Sequence, residues 1–176
     1  GALIWQQGDP AAHFSLVLSG LVEIVTTSRD GDDKILGLFG PGDIIGLSAF
    51  LRKVSYPANA KVSTKGAIVV NFFASSLDRE LKQEQLSQIE SWQREQLLRH
   101  EQVLRDKIAI VGAGSTAQRL VELLCHLHFR FSNNHDVIRQ VKRTVIIPIT
   151  ISKTQIAKII DVRVETVIRL LSSWAI

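Results

Sequence analysis

Residues 152–176 read SKTQIAKIIDVRVETVIRLLSSWAI, which is the pattern of two short helices joined by a tight turn. Ser152 and Gln155 stand at capping-box spacing, so each side chain can bond a free N–H at the start of the first helix. Asp161 tolerates the left-handed backbone that such a turn needs. Between these points three apolar residues follow the helical period, namely Ile156, Ala157 and Ile160.

The second helix of this pair has two faces. Its inner face carries the apolar residues Val162, Val167, Leu170 and Leu171. Its outer face carries Val164, Glu165, Ile168 and Arg169. This is the layout of a helix-turn-helix that reads DNA, although an ordinary helical hairpin would share the spacing.

The distribution of charge favours the first interpretation. Residues 1–75 hold six Lys/Arg and six Asp/Glu, residues 76–135 hold eight of each, and residues 136–176 hold seven against three. The formal net charge of +4 therefore lies in the final segment, as the neutralisation of phosphates requires. We predict that DNA is contacted by Ser152, Lys153, Thr154, Gln155, Arg163, Val164, Glu165, Thr166, Ile168 and Arg169.

Composition and length describe a globular protein of one large or two small domains, with 176 residues, 45% of them hydrophobic and 22% charged. No apolar run reaches the roughly 20 residues that span a bilayer, so we expect no membrane partner. The single cysteine, Cys125, suits a reducing cytoplasm. It begins the string Cys125-His126-Leu127-His128, where Cys125 and His128 are expected in the core and His126 elsewhere, so no metal site is predicted.

Short β-rich segments alternate with turn signals through the first 75 residues, which predicts an antiparallel barrel or sandwich. The predicted strands lie at Ile4–Trp5, Phe14–Leu18, Leu21–Thr27, Lys34–Phe39, Ala58–Val62 and Ala67–Phe73.

Three strings in this region resemble the β-roll of the Crp/Fnr (catabolite activator / fumarate-nitrate regulator) family of bacterial transcription regulators: Gln7-Gly8-Asp9-x-Ala11, the run from Phe14 to Val22, and Gly42-Asp43-x-Ile45-Gly46. Ile156-Ala157 followed by Glu165-Thr166-Val167-x-Arg169 resembles the recognition signature of the same family. The resemblance implies an α+β fold. It has a cupin-like, cyclic nucleotide-binding-like β-roll in residues 1–76, a dimerisation helix region in 77–111, and a winged helix-turn-helix in 112–176 whose C-terminal wing is missing from the sequence.

The same resemblance implies a non-enzymatic, effector-gated homodimer that binds a pseudo-palindromic site on double-stranded DNA and contacts RNA polymerase. Whether it activates or represses stays open. The family places the effector between the roll and the long helix, and the corresponding residues here are Gly46, Leu47, Ser48, Ala49, Leu97, His100 and Leu104.

The residues expected to hold a cyclic nucleotide are different here. Cyclic-nucleotide binders of the family place Glu after the glycine that matches Gly46, and about ten residues further on an Arg for the phosphate. This chain has Leu47 at the first position and Tyr56-Pro57-Ala58 in the second segment. We therefore predict no tight binding of cyclic AMP. The apolar walls favour a weakly charged ligand, haem, or no ligand at all.

An iron–sulfur cluster is not expected, because it needs about four cysteines and the roll has none. Haem stays an open alternative, although no residue of the sequence points to a haem ligand. His13 is predicted in a turn and His100 on the long helix, and each is interpreted as a surface or interface histidine.

The middle of the chain, residues 77–111, alternates charges with an apolar stripe and predicts one long helix. Such a helix usually packs against a partner, here a second copy, although packing on its own roll alone would also fit. The stripe runs through Leu86, Ile89, Trp92 or Gln93, Leu97, His100, Leu104, Ile108 and Val111.

Lys107 to Ala117 imitates a dinucleotide-binding fingerprint through Gly112-x-Gly114-x-x-Ala117. A nicotinamide-binding enzyme is therefore one alternative, and a sensing module without DNA binding is another. We instead expect residues 112–114 to form a hinge, followed by a helix over 117–131 that Ser115 and Gln118 cap. A hairpin of Val137–Val141 and Thr144–Ile149 is expected to precede the helix pair.

Overall fold

A computed structural model of the chain describes residues 1–28, 31–75, 83–132 and 147–174. These divide into two compact units, Gly1–Leu104 and Arg105–Ile176. Each unit is described by itself below. The domain boundaries predicted from the sequence, near residues 76 and 111, stay a prediction.

The first unit is built mainly of strands, and each of the six segments predicted as β contains one. The strands are β1 (Leu3–Trp5), β2 (His13–Ser19), β3 (Val22–Thr27), β4 (Asp33–Phe39), β5 (Ile44–Ile45), β6 (Asn59–Val62) and β7 (Ile68–Phe73), with helix α1 (Leu47–Arg52) after β5. The sequence did not predict β5, which has only two residues, or α1. It was also wrong about His13, which begins β2 instead of lying in a turn.

The strands form two antiparallel sheets, one with the order β1-β6-β3-β4 and one with the order β5-β2-β7. In the larger sheet β3 is central and pairs Val22 with Val62 of β6 and with Phe39 of β4. One core cluster joins apolar side chains of both sheets with Ala49 of α1, Tyr56 and Val103: its sheet members are Trp5, Val17, Val22, Phe39, Ile45 and Ala60. The antiparallel barrel or sandwich predicted from the turn spacing is therefore confirmed, in the form of two antiparallel sheets.

Helix α2 (Gln83–Gly112) is the long helix predicted for residues 77–111. Residues 77–82 of that prediction lie outside the described residues. Val103 of α2 is buried in the roll core, and Gln96 is also buried. On the same helix Leu97, Leu104 and Ile108 are 43%, 56% and 72% exposed. One part of α2 thus packs on the roll, while Leu97, Leu104 and Ile108 of the predicted stripe are exposed within a single copy.

The second unit contains α3 (Thr116–Phe131), α4 (Lys153–Ile160) and α5 (Val164–Trp174). The predicted cap of α3 is confirmed, since the Gln118 N–H donates to Ser115 Oγ at 3.3 Å and the Ser115 N–H donates to Gln118 Oε1 at 2.8 Å. Gly114 has φ +82° in the short segment between α2 and α3, a conformation that glycine adopts without strain.

The nicotinamide alternative does not fit this unit. A dinucleotide fingerprint needs a strand before its glycines. Here Lys107 to Gly112 belong to helix α2. Of the predicted hairpin, residues 137–146 lie outside the described residues. Residues 147–149 are not in a strand.

Cys125 corrects another expectation, because the side chain is exposed and not in the core. The buried positions of α3 are Leu120, Leu123 and Leu127. Cys125 lies two residues from each of the last two, and a helix turns through about 200° over two residues, so its side chain points away from the buried face.

Candidate functional site

The turn between α4 and α5 has the local geometry that the sequence predicted. The Gln155 N–H donates to Ser152 Oγ at 3.1 Å, and the Ser152 N–H donates to Gln155 Oε1 at 2.9 Å, which completes the capping box. Helix α4 ends at Asp161, whose φ of 57° and ψ of 57° are left-handed. The Val162 N–H then donates to the Ala157 carbonyl at 3.0 Å. These bonds fix where the first helix starts and how the chain turns into the second.

We call residues 152–174, with α4 and α5, the helix pair. Its inner side is apolar and closed: Ile156, Ala157, Ile159, Ile160 and Val167 are all buried. Val167 and Ile160 have no exposed surface. The small side chain of Ala157 lies in this contact, as expected where two helices approach closely.

The predicted contact residues lie on the other side of the helix pair. Exposed are Ser152, Lys153, Thr154, Arg163, Glu165, Ile168 and Arg169, and half-buried are Gln155, Val164 and Thr166. None of the ten is buried. Of the inner face assigned from the sequence, Val167 is buried, whereas Val162, Leu170 and Leu171 are half-buried. The outer residues Glu165, Ile168 and Arg169 are exposed, so they offer a charged, accessible surface on the helix pair.

Two cations hold the carboxyl end of α4, and sequence reasoning did not find this. Lys107 Nζ of α2 donates to the Ile159 carbonyl. Arg119 of α3 donates from Nη1 to the Ile160 carbonyl at 3.5 Å and from Nε to the Gly114 carbonyl at 3.2 Å. The last carbonyls of a helix lack partners within it and carry its negative dipole end, so cations are favoured there. The partner of Arg119 lies more than 40 residues away in the sequence, so local spacing does not reveal it.

A second candidate site is a cavity of about 180 Å³ within the first unit, which we call the roll cavity. Part of its lining is the stacked pair Trp5 and Tyr56, whose ring centroids lie 4.2 Å apart. Helix α2 supplies one wall. The lining residues are Trp5, Ile24, Leu36, Gly37, Phe39, Ile45, Gly46, Ser48, Ala49, Tyr56, Pro57, Ala58, His100, Val103 and Leu104.

Two glycines are needed for this shape. A Cβ on Gly46, which has φ +78°, would lie 2.9 Å from Trp5 Cη2 and 3.2 Å from Tyr56 Cε1. A Cβ on Gly37 would lie 2.7 Å from Val103 Cγ1, so glycine there lets α2 approach the sheet closely. The glycine of the family string thus accommodates the aromatic pair.

The polar groups of Trp5 and Tyr56 form hydrogen bonds within the protein. Trp5 Nε1 donates to the Ala58 carbonyl at 3.1 Å, and the Tyr56 hydroxyl donates to the His13 carbonyl. Burial raises the pKa of Tyr56, an effect that the bond to His13 opposes and Asp9 reinforces. The phenol is therefore neutral at physiological pH.

Of the predicted pocket residues, Gly46, Ser48, Ala49, His100 and Leu104 line the roll cavity. Leu47 does not, because it is buried in a separate cluster with Phe14 and Ile44. Leu97 does not line the cavity either, and its side chain is 43% exposed. Sequence reasoning missed Trp5 and Tyr56, whose convergence depends on strand pairing across more than 50 residues.

The two histidines considered for haem both have a polar partner within the roll: the Ile44 carbonyl for His100 and the Tyr56 hydroxyl for His13. His100 Nε2 bonds the Ile44 carbonyl, and burial lowers the pKa of His13. Within the described ranges no group of three or more His, Cys, Asp or Glu could hold a metal ion. In the same ranges no helix has the length and apolarity to cross a membrane.

The architecture is thus a β-roll with an attached long helix, followed by a helical unit that ends in the helix pair. Residues 1–84 match the cyclic nucleotide-binding domain family. The chain is 28% identical over 171 residues to the anaerobic regulatory protein of Bacillus subtilis, covering 96% of this chain and 67% of that protein. It is 27% identical over 179 residues to the transcriptional activator protein anr of Pseudomonas aeruginosa, covering 99% of this chain and 67% of that protein. The chain thus spans about two thirds of the length of these relatives.

Solved structures have the same fold. A CRP-family transcriptional regulator from Thermus thermophilus superposes with a TM-score of 0.74 at 24% identity, over 98% of this chain and 80% of that one. The c-di-GMP responsive global regulator of Xanthomonas campestris gives 0.75 at 18% identity, over 98% and 82%. The predicted resemblance is confirmed: the N-terminal part of the chain matches the cyclic nucleotide-binding domain family, and the curated relatives are regulators by name.

Proposed function

We propose that the chain is a sequence-specific, DNA-binding transcription regulator that works as a homodimer and is gated by an effector in the roll cavity. The observation that carries the proposal is the two-sided helix pair, with a closed apolar interior and with Glu165 and Arg169 exposed. The helix pair also lies in the segment with seven Lys/Arg against three Asp/Glu, an excess of positive charge that phosphate contact requires.

The outward residues suggest a division of roles. Arg169 is suited to a guanine edge through two hydrogen bonds, and Glu165 to a cytosine amino group. Ser152, Lys153, Thr154, Arg163 and Thr166 are suited to phosphates, because they are short polar or cationic groups at the first turns of α4 and α5. Gln155, Val164 and Ile168 complete the surface that would enter the major groove.

A homodimer is supported by the long helix. Leu97 and Leu104 lie seven residues apart on α2 and are largely exposed within one copy, and Ile108 follows one turn later. Apolar residues at this spacing form a seam for a second helix. Two copies of α5 would then reach successive major grooves of a pseudo-palindromic site, about one helical turn apart. Contact with RNA polymerase is part of the same proposal.

Response to an effector other than cyclic AMP is supported by the roll cavity. Tyr56 and Pro57 occupy the segment where cyclic-nucleotide binders of the family carry their phosphate arginine, and Leu47 replaces the glutamate and is buried elsewhere. A buried phosphate without a guanidinium would be poorly compensated.

The test compares Arg169→Ala with Lys153→Ala on a DNA site selected from random sequences and on unselected DNA. Arg169→Ala should weaken binding to the selected site by ~1–3 kcal/mol and relax preference at one base pair. Lys153→Ala should weaken both DNAs alike and lower the salt slope by about one. Fluorescence anisotropy over a range of salt concentrations measures both.

Lys65→Ala is the matched control, since it removes one exposed positive charge from the roll and should change neither affinity. Equal effects of all three variants would show that general charge, and not the helix pair, binds DNA. Absence of DNA binding by the wild type would favour the sensing module without DNA contact.

A further inference from the structure

The roll cavity has chemistry of its own, which says what kind of molecule it can take. Among the described residues that line it there is no Lys, Arg, Asp or Glu. A phosphate or carboxylate held there would lose its water without gaining a cation, which costs several kcal/mol. The lining therefore selects against anions of any class, including cyclic mononucleotides.

The polar atoms that do face the cavity region are largely used within the protein. Trp5 Nε1 and the Tyr56 hydroxyl donate to backbone carbonyls, and His100 Nε2 bonds the Ile44 carbonyl. What remains for a ligand is mainly apolar and aromatic surface, with the Phe39 ring at 5.4 Å from the His100 ring. Such surface stabilises a molecule through burial and edge or face contacts with rings.

The size of the cavity narrows the class further. Its volume of about 180 Å³ is smaller than the roughly 300–1,000 Å³ of pockets for drug-sized ligands. An apolar cavity of about 150 Å³ lined by Leu, Ile and Phe is known to admit benzene. A single aromatic ring with few substituents therefore matches the space.

We infer that the roll cavity binds a small, uncharged, mainly apolar molecule of about one aromatic ring, in contact with the Trp5–Tyr56 pair and His100. This inference rests on the proposed effector role of the cavity and specifies its ligand. Because Val103 and Leu104 of α2 also line the cavity, the ligand would contact both the sheet and the helix. A ligand shifts a conformational equilibrium only through contacts that differ between the two states, and contacts on α2 allow this.

The experiment uses toluene, benzoate and cyclic AMP as probes of the full chain in the absence of DNA. Toluene and benzoate share the ring and differ in charge. Amide chemical shifts of isotope-labelled protein follow binding, with the amides of Gly37, Gly46 and Val103 as local reporters. We expect toluene to bind with a dissociation constant of about 1 mM or lower. Benzoate should bind at least about tenfold more weakly, and cyclic AMP should leave these shifts unchanged.

Three variants locate the site. Ser48→Phe places a ring at the exposed rim of the cavity and should weaken toluene at least about fivefold, while Leu51→Ala on the same helix, exposed and outside the lining, should leave it unchanged. Val103→Ala enlarges the cavity and should admit naphthalene, which the wild type should exclude. Val103→Ala keeps the test informative if Ser48→Phe does not fold.

Several results would overturn the inference: no toluene binding, benzoate binding as tightly as toluene, or cyclic AMP shifting the same amides. Because the measurement needs no DNA, it separates the two proposals. A protein that binds its DNA site but not toluene would refute only the ligand class. One that binds toluene but no DNA would refute the regulator function and leave the ligand class supported.

Discussion

The helix pair and the roll cavity differ in which features of the family pattern they share. In the helix pair the capping box at Ser152 is present, and Glu165 and Arg169, which resemble the family's recognition signature, are exposed. In the roll the backbone signals are present, including the left-handed glycine at Gly46, but Leu47 stands in place of the glutamate and Tyr56 and Pro57 occupy the segment of the phosphate arginine.

This difference shows that different residues determine the backbone fold of the roll and the binding chemistry of its cavity. Gly46 needs glycine because of its positive φ, whereas the chemistry of the cavity comes from the side chains around it, among them Trp5 and Tyr56. A match to a cyclic nucleotide-binding domain therefore describes how the roll folds. What the roll binds has to be argued from the residues that line the cavity.

The largest expected effect tests whether the two faces of the helix pair are as distinct as the burial indicates. Ile160→Ala should lower the free energy of unfolding by ~2–5 kcal/mol, because Ile160 has no exposed surface and the change leaves a cavity. Urea unfolding followed by circular dichroism measures it.

Ile168→Ala is the matched control, since Ile168 is 42% exposed on the outer face. It should change stability by less than about 0.5 kcal/mol and act on DNA binding instead. Similar stability losses for the two variants would mean that the outer face is also structural, and the proposed DNA surface would lose its main support.

Local signals predicted local structure well, and long-range contacts explain most of what was missed. The capping boxes at Ser115 and Ser152 and the turn at Asp161 depend on residues three or four positions apart, so the sequence contains them completely. The two-residue strand β5 carries no period of its own and exists because β2 lies beside it. Cys125 was misplaced because the helical stripe of α3 was assigned to the wrong face.

The candidate sites divide in the same way. The ten residues predicted to contact DNA follow from helical period and charge within 18 positions of the chain, and none of them is buried. The roll cavity combines residues from β1, the segment after α1, and α2, so Trp5 and Tyr56 could not be found by spacing. Family resemblance located the cavity only through the residues near Gly46 and His100.

A smaller effect is expected where other helices hold the carboxyl end of α4. Arg119→Met removes the donors to the Ile160 and Gly114 carbonyls while keeping an apolar stem of similar length. The expected loss of stability is ~1 kcal/mol, with faster amide hydrogen exchange in α4 than in the wild type. Mass spectrometry of the exchanging peptides measures it.

Arg99→Met is the comparison for this loss, because Arg99 pairs with Glu95 at 2.7 Å on an exposed part of α2. Exposed pairs of this type contribute roughly 0.3–0.5 kcal/mol. If both variants lost the same stability and α4 exchanged at the wild-type rate, the contact of Arg119 with α4 would have no positioning role.

The smallest expected effect is a dependence on pH that arises in the second unit and not in the helix pair itself. His126 Nε2 lies 3.1 Å from Asp106 Oδ2. Burial nevertheless lowers the pKa of His126; Asp106 and Glu122 oppose the shift, and Arg130 adds to it. The folded state then binds fewer protons than the unfolded state, whose His pKa is about 6.5. Stability should therefore be complete above about pH 6.5 and decline as the pH falls below it.

Hydrogen exchange of α3 between about pH 7.5 and pH 5, corrected for intrinsic rates, measures the decline, and His126→Gln should flatten it. Because His13 shifts in the same direction within the roll, only the α3 peptides count, and a decline in α3 that persists in His126→Gln would assign it to another group.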